Sequence, residues 1–376
     1  MIPPGPGFFI FGKSQRRKCV YRAGQLLDPW SGGVIRSWDV AREWIEPAEY
    51  RVSLGLKSGQ EVVIACDEQG LAITEGGQRA MVSQAPLRLP RFEGHPLAPV
   101  LRILHHTILV NIVDGRSEPN LLALRQPSLR HAVLMAMVLR ETGNLDLLRP
   151  WVLSLRDPFE GTGPHDRNPE HLGQALYLAS LVADASHPLV KGALRAIPEF
   201  RHNQHVCGIT DGALHPVYQT KWLKFGLRAL GLDDPYVIPH VYDSYSSQFW
   251  MDFRDQHVAG PDLSERLRRM HPYLHWAEAH FHDWPPPAIP APDTYPITWD
   301  TRDPAGNFAA MKILGPQYAR RKIAAPHSGH AAEMFLYLLH AGAPASEPAG
   351  QECPVADASG SDGLDTGSAQ TSGHRG

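Results

Sequence analysis

Cysteine is scarce in this chain: the 376 residues hold four, at Cys19, Cys66, Cys207 and Cys353, and none forms a CxxC pair. That spacing excludes a zinc knuckle, a thioredoxin-type site and a disulfide framework. Long apolar runs are missing too, and no stretch approaches the ~20 residues that a membrane-spanning helix needs. An excess of one charge is also missing. The formal net charge is −3, so neither a nucleic-acid footprint nor a nucleic-acid partner is expected. There is no GxGxxG, no GxxxxGK[ST], no GxSxG and no nucleophilic cysteine motif, which disfavours nucleotide-dependent chemistry and serine hydrolysis. No cofactor is expected. The start, MIPPGPGFFIFGKSQRRK, places apolar residues before basic ones, the reverse of a secretory signal, and predicts a cytoplasmic protein.

What is present fits a folded protein: 43% hydrophobic and 20% charged residues, enough for one large domain or two ordinary ones. Three regions separate by pattern. Residues 1–90 read as a small β-rich region. Tyr50, Val52 and Leu54 alternate, as do Val62, Ile64 and Cys66, and Ser58-Gly59 and Gln69-Gly70 mark turns. Residues 91–341 are dominated by helical periodicity. Leu97, Val100, Leu101, Leu104, Ile108 and Leu109 form one stripe, and residues 127–142 form a second helix ending at Gly143. Asn144 is expected to cap the next helix, with Pro150 either kinking it or marking its true start. Asn168-Pro169-Glu170 signals another helix start. Further helices are predicted over 214–231, 243–253, 263–281 and 327–341. Residues 342–376 are rich in Ala, Gly, Ser, Pro and Asp and are expected to be disordered. The fold class expected is therefore mainly α, a helical toroid with a β-rich N-terminal subdomain.

The densest chemistry lies in TDGALHPVYQTKWLKFGLRALGLDDPYVIPHVYDSYSSQFW, residues 210–250. Aromatic rings mixed with carboxylates, amides and hydroxyls suit the wall of a cavity, because buried polar groups need partners. The candidate catalytic residues are Asp211, Asp243 and Asp300. Asp211 and Asp243 each also fit a helix cap, which is the plainer reading. Tyr218, Gln219, Trp222, Tyr242, Tyr245, Trp250, Trp299 and His330 are the candidate substrate contacts. Histidine occurs 20 times. His271, His275, Glu278 and His282 share one helical face, and His327, His330 and Glu333 lie three apart. Either run suits a metal by spacing. Neither matches a known metal motif, so satisfied structural histidines or substrate donors are expected and no metal is assigned.

The passages LMAMVLRETGNLDLLRPWVLSLRDPFEGTG, NPEHLGQALYLASLVAD and HPVYQTKWLKFGLRALGLDDPYVIPHVYDSYSSQFW, with the closing HSGHAAEMFLYLL, resemble the (α/α)6 toroids of the six-hairpin glycosidase type over residues 95–341. The resemblance implies acid–base chemistry on a carbohydrate or related polyhydroxylated molecule. The place where such toroids carry an aromatic-Arg-Asp element reads RQPSLRHAV here, without an acid. Glycoside hydrolysis uses two carboxyl groups. The same barrel is therefore also read as a biosynthetic cyclase, isomerase or lyase, or as a silent carbohydrate-binding protein. The partners expected are a small-molecule substrate and a second copy of the chain, with no membrane.

Overall fold

Short strands and turns build the N-terminal quarter of the chain. The computed structural model describes residues 7–160, 167–249, 274–282, 284–285, 287–291, 293–301 and 306–341. Strands β1 (Phe9–Phe11), β2 (Cys19–Arg22), β3 (Gln25–Leu27) and β4 (Val34–Ser37) form one antiparallel sheet in chain order. Strands β5 (Val40–Glu46), β6 (Arg51–Leu56), β7 (Glu61–Cys66), β8 (Gly70–Glu75) and β9 (Gln78–Gln84) form a second. Val62, Ile64 and Cys66 on β7 are buried between more open neighbours, the period of two that a half-buried strand requires, and Val52 and Leu54 on β6 are buried either side of the more open Ser53.

Helix α1 (Ala98–Val110) is buried on nearly every face from Val100 onward. It divides the interior. Leu101, Leu104 and Ile108 enter a helical core, and Ile103 and Val110 enter a core shared with the sheets. Its sequence is mostly apolar, and His105, His106 and Thr107 are enclosed along with the aliphatic residues. The remaining helices are α2 (Leu129–Glu141), α3 (Arg149–Ser154), α4 (Glu170–Ser180), α5 (Pro188–Phe200), α6 (Pro216–Ala229), α7 (Leu274–Phe281), α8 (Pro316–Arg321) and α9 (Ser328–Ala341). Neighbours in space run α1–α9–α2–α4–α6. Paired two-residue strands interrupt them: β10–β11 (Ile112–Val113, Arg116–Ser117), β12–β13 (Arg201–His202, His205–Val206), β14–β15 (Ile209–Thr210, Ala213–Leu214) and β16–β17 (Asp300–Thr301, Ile323–Ala324).

The expectation of a mainly α chain closed into a toroid does not hold. The chain is mixed, 37% helix and 22% strand, with nine α-helices among the described residues and strands in both its N-terminal part and its helical part. Helical periodicity over 95–340 concealed the hairpins because a two-residue strand is too short to show alternation. Asn144 does not cap a helix through its side chain. Its Oδ1 accepts the Arg88 N–H and its amide donates to the Arg88 carbonyl, while α3 starts at Arg149 with Pro150 in its first turn. The tail from residue 342 lies outside the described residues.

Helices α4 and α6 cross unusually closely, and two glycines allow it. A Cβ on Gly173 would lie 2.1 Å from the Trp222 carbonyl group, and one on Gly226 would lie 2.4 Å from the Gly173 carbonyl oxygen. These neighbours are backbone and cannot swing aside. Gly173→Ala is therefore expected to cost about 1–3 kcal/mol or more by overpacking. A urea melt checks it. An unchanged midpoint would mean that the helices are not held this close.

Candidate active site

The α4–α6 crossing builds the first part of the site. Glu170, the first residue of α4, is buried, and its Oε2 accepts from the Thr210 hydroxyl at 2.8 Å and the Gln219 amide at 3.3 Å. Gln219 also donates to Thr210 Oγ1 and the Gly208 carbonyl, and its Oε1 accepts the Gly208 N–H. One amide thus ties α6, the start of the β14–β15 hairpin and Glu170 together. Burial pushes the Glu170 carboxyl above its ordinary range, against the opposing pull of the Arg130 charge. One turn along α4, Gln174 is fully buried with neither amide atom hydrogen-bonded to protein, and the Nδ1 of the neighbouring His171 is likewise without a partner. Burial holds His171 down at about 4, so its imidazole is neutral.

Arg130, in the first turn of α2, is the charge at this end. Its guanidinium donates to Gln248 at 2.7 Å and to Asp211 at 3.3 Å, and it lies over the Tyr218 and Tyr245 rings. Its field reaches Glu170, His171, Tyr218 and Tyr245. Asp211 sits at the tip of the β14–β15 hairpin with φ +51°, followed by Gly212 at φ +84°, the Asp-Gly pair that a two-residue hairpin favours. It caps no helix. Its carboxylate accepts from the Tyr245 hydroxyl at 2.8 Å. Partial burial works to raise its pKa, but Arg130 and that hydroxyl outweigh it and hold Asp211 low.

Asp243 is locked. Its Oδ2 accepts the Val217 and Tyr218 N–H groups at 2.9 and 3.0 Å, and its Oδ1 accepts from His215 Nδ1 and the Tyr245 N–H at 2.9 and 2.8 Å. It therefore caps the start of α6 from 25 to 26 residues downstream. The carboxylate read as catalytic from its aromatic neighbours has its oxygens taken up by backbone and His215.

The second part of the site lies where α9 begins beside α2. Strand β16 places Asp300 opposite Ala324 on β17. The pairing continues as Thr298 donates its hydroxyl to the His327 carbonyl and the His327 N–H donates to the Thr298 carbonyl. Buried amides fix the approach to α9. Asn120 and Asn111 donate to the Pro326 carbonyl, and Ser328 donates its N–H to the Pro119 carbonyl and its hydroxyl to the Glu118 carbonyl. Asp300, His327 and His330 then bring one ligand atom each within 4.8 Å of one another. The His327 and His330 rings stack at 3.8 Å, and His131 of α2 packs 5.0 Å from His327. Gly329 makes room for this, since a Cβ there would lie 2.4 Å from the His131 ring. Burial holds His131 down at about 3. Arg130 and His131, Glu170 and His171, Tyr218, and His327 with His330 thus stand at the N-terminal ends of α2, α4, α6 and α9, linked by the His131–His327, Arg130–Tyr218 and Arg130–Glu170 approaches.

Of the substrate contacts proposed from sequence, Tyr218 and Tyr245 face Arg130, and Gln219 clamps Glu170. Trp222 is core, packed edge-on against Phe225 and Phe249. Tyr242 is exposed, and Trp299 packs beside the sheet core. Trp250 and His271 lie outside the described residues, as does the side chain of His275. Glu333 is buried one turn beyond His330 but stands outside the ligand group, where Asp300 takes its place. Sequence reasoning passed over Arg130, His131, Glu170, His171 and Gln174. The signal available was their place just after each helix start, where a side chain projects from the helix end. Glu118 was also missed. It is buried, its Oε2 has no partner, and burial pushes its carboxyl up to about 7.

Two clefts among the described residues lie elsewhere. One of about 480 Å³ is lined by Ser14, Asp114, Arg116, Asp146 and Trp151, and one of about 390 Å³ is bounded by Gly143 and Asn144. They sit near the far end of α2, about 20 Å of helix from His131. Neither contains the residues gathered at the helix starts, so chemistry rather than size picks the site.

The chain matches no protein-family model, no curated protein and no solved structure. The likeness to six-hairpin glycosidases therefore fails on both counts: the fold is mixed and nothing solved matches it. No observation supports glycoside hydrolysis. No helix among the described residues is long and apolar enough to cross a membrane.

Proposed function

We propose that the chain is an enzyme of acid–base type, acting on a small, hydrogen-bonding molecule of the polyhydroxylated kind where α2, α4, α6 and α9 begin. One observation carries the reading: the Gln174 amide is fully buried one turn from Glu170 with no protein partner. Leaving such an amide unpaired costs about 1–3 kcal/mol. An interior that keeps it, beside a carboxyl pushed upward by burial, suits a polar ligand and a proton donor. Glu170 is the proton donor in this reading. Arg130 is the cation nearest Glu170, and it offers an anionic or polar substrate group a charged donor. The His131 and His171 rings, held neutral, accept or donate single hydrogen bonds without adding charge.

A second reading, a binding protein without turnover, draws on the four donors that occupy Asp243 and on the exposure of Asp211. One experiment separates them. The full chain is screened by thermal shift against polyols and sugar acids, and each stabilising compound is incubated and followed by NMR for product. Glu170→Gln is expected to lower turnover by about 10²–10⁴-fold with binding nearly unchanged. Full turnover in that variant removes Glu170 from the chemistry. Tight binding with no product in the wild type transfers the case to the binding reading.

A further inference from the structure

We infer that Asp300, His327 and His330 hold one divalent transition-metal ion. Two imidazoles and a carboxylate, drawn from a strand end and a helix start, bring their ligand atoms within 4.8 Å of one another. A tetrahedral ion with bonds of about 2.1 Å holds its ligand atoms about 3.4 Å apart, so side-chain rotations that bring the outermost pair about 1–1.5 Å closer complete the shell. Nitrogen and carboxylate ligands of this kind select zinc, ferrous iron or cobalt over calcium and magnesium, which prefer all-oxygen shells. Three protein ligands leave open positions for water or a substrate oxygen.

The surroundings are built to hold these side chains still. The backbone carrying His327 is fixed by Thr298 on one side and by Asn111, Asn120 and Ser328 on the other, the last three with no exposed surface. Such outer partners orient metal ligands. Gly329 lets His131 close over His327, which shields the site. A pair of surface histidines offers the contrast. His202 and His205 face each other across the β12–β13 hairpin with ring centroids 6.0 Å apart, and no carboxylate joins them in a ligand group among the described residues.

The inference stands apart from the acid–base reading, because metal uptake is measured without any substrate. The full chain is stripped with a chelator and titrated separately with Zn(II), with Co(II) and, anaerobically, with Fe(II). The readouts are metal content, the visible spectrum of bound Co(II) and the thermal midpoint. One ion per chain is expected, with a raised midpoint, since a ligand that binds only the folded chain stabilises it. Asp300→Asn, His327→Gln and His330→Gln are each expected to weaken binding roughly a hundredfold or more and to abolish the metal-dependent rise. The double variant His202→Ala/His205→Ala is expected to bind as the wild type does. Wild-type protein that takes up none of the three ions at micromolar concentration overturns the inference. So does undiminished binding by the three ligand variants, or loss of binding in the surface pair alone.

Discussion

Asp243→Ala is expected to destabilise the protein by about 3–5 kcal/mol, the range for removing one member of a buried charge-assisted network. The carboxylate receives the N–H groups of Val217, Tyr218 and Tyr245 and the Nδ1 of His215, all within 3.0 Å. Alanine leaves these donors without an acceptor in a site with almost no water access. It also frees the start of α6, because His215 at its N-cap position makes no side-chain cap of its own. Asp243→Asn keeps the shape and one acceptor oxygen, so a smaller cost of about 1–3 kcal/mol is expected. Urea melts of the two variants check the order. If Ala and Asn cost equally little, Asp243 is not what holds the start of α6. Any loss of activity in Asp243→Asn should follow displacement of Tyr245, which stacks on His215 at 3.8 Å and donates to Asp211.

Lys13→Met is expected to stabilise the protein by about 2–4 kcal/mol near neutral pH. The Lys13 side chain is fully buried, its amino group has no hydrogen-bond partner, and it rests 2.8 Å from the centre of the Tyr50 ring. Lys18, a few residues on, shows what a tolerated buried lysine looks like. Its amino group donates to the carbonyls of Gly12, Ser14 and Ile112. Burial holds the Lys13 amine well below its usual range. The sign of the pH effect follows. The unfolded chain binds a proton at Lys13 that the folded chain refuses, so stability rises with pH until the unfolded lysine loses its proton near 10.5. The advantage of Lys13→Met should therefore shrink as pH is raised from 7 to 10. Melts across that interval test it, and an advantage that stays constant or grows would mean that Lys13 is charged in the fold.

Gly173→Ala and Glu170→Gln bear on the same crossing from two sides, one through backbone distance and the other through the carboxyl that the crossing buries. A destabilised Gly173→Ala that also loses turnover would tie the two together.

The sheets were legible where one face of a strand is buried, and not in Val40–Glu46 or Gln78–Gln84, whose residues are mostly exposed and show no alternation. Alternation in Val52 and Leu54, and in Val62, Ile64 and Cys66, reflects a face that must be buried, and that need is local. Helix starts at Pro169-Glu170, at His215-Pro216 and near His327 were legible for a similar reason, because proline and capping residues act within a turn. The Asp211-Gly212 hairpin was also written in the chain and was passed over in favour of a helix cap. What the sequence alone determined is therefore the local inventory: which segments carry one apolar face, where turns fall, and that acids, imidazoles and rings cluster after residue 200.

Tertiary structure decided the partners. Nothing within a turn of Asp243 says that it caps a helix that begins 27 residues upstream at Pro216. Nor does local sequence say that Asp300 approaches His327 through the β16–β17 pairing, or that Arg130 approaches Glu170. A carboxylate becomes cap, ligand or acid according to which donors and charges fold brings within about 3 Å and how much water it excludes. Those distances belong to the packed chain, where Gly173, Gly226 and Gly329 set how near the helices come.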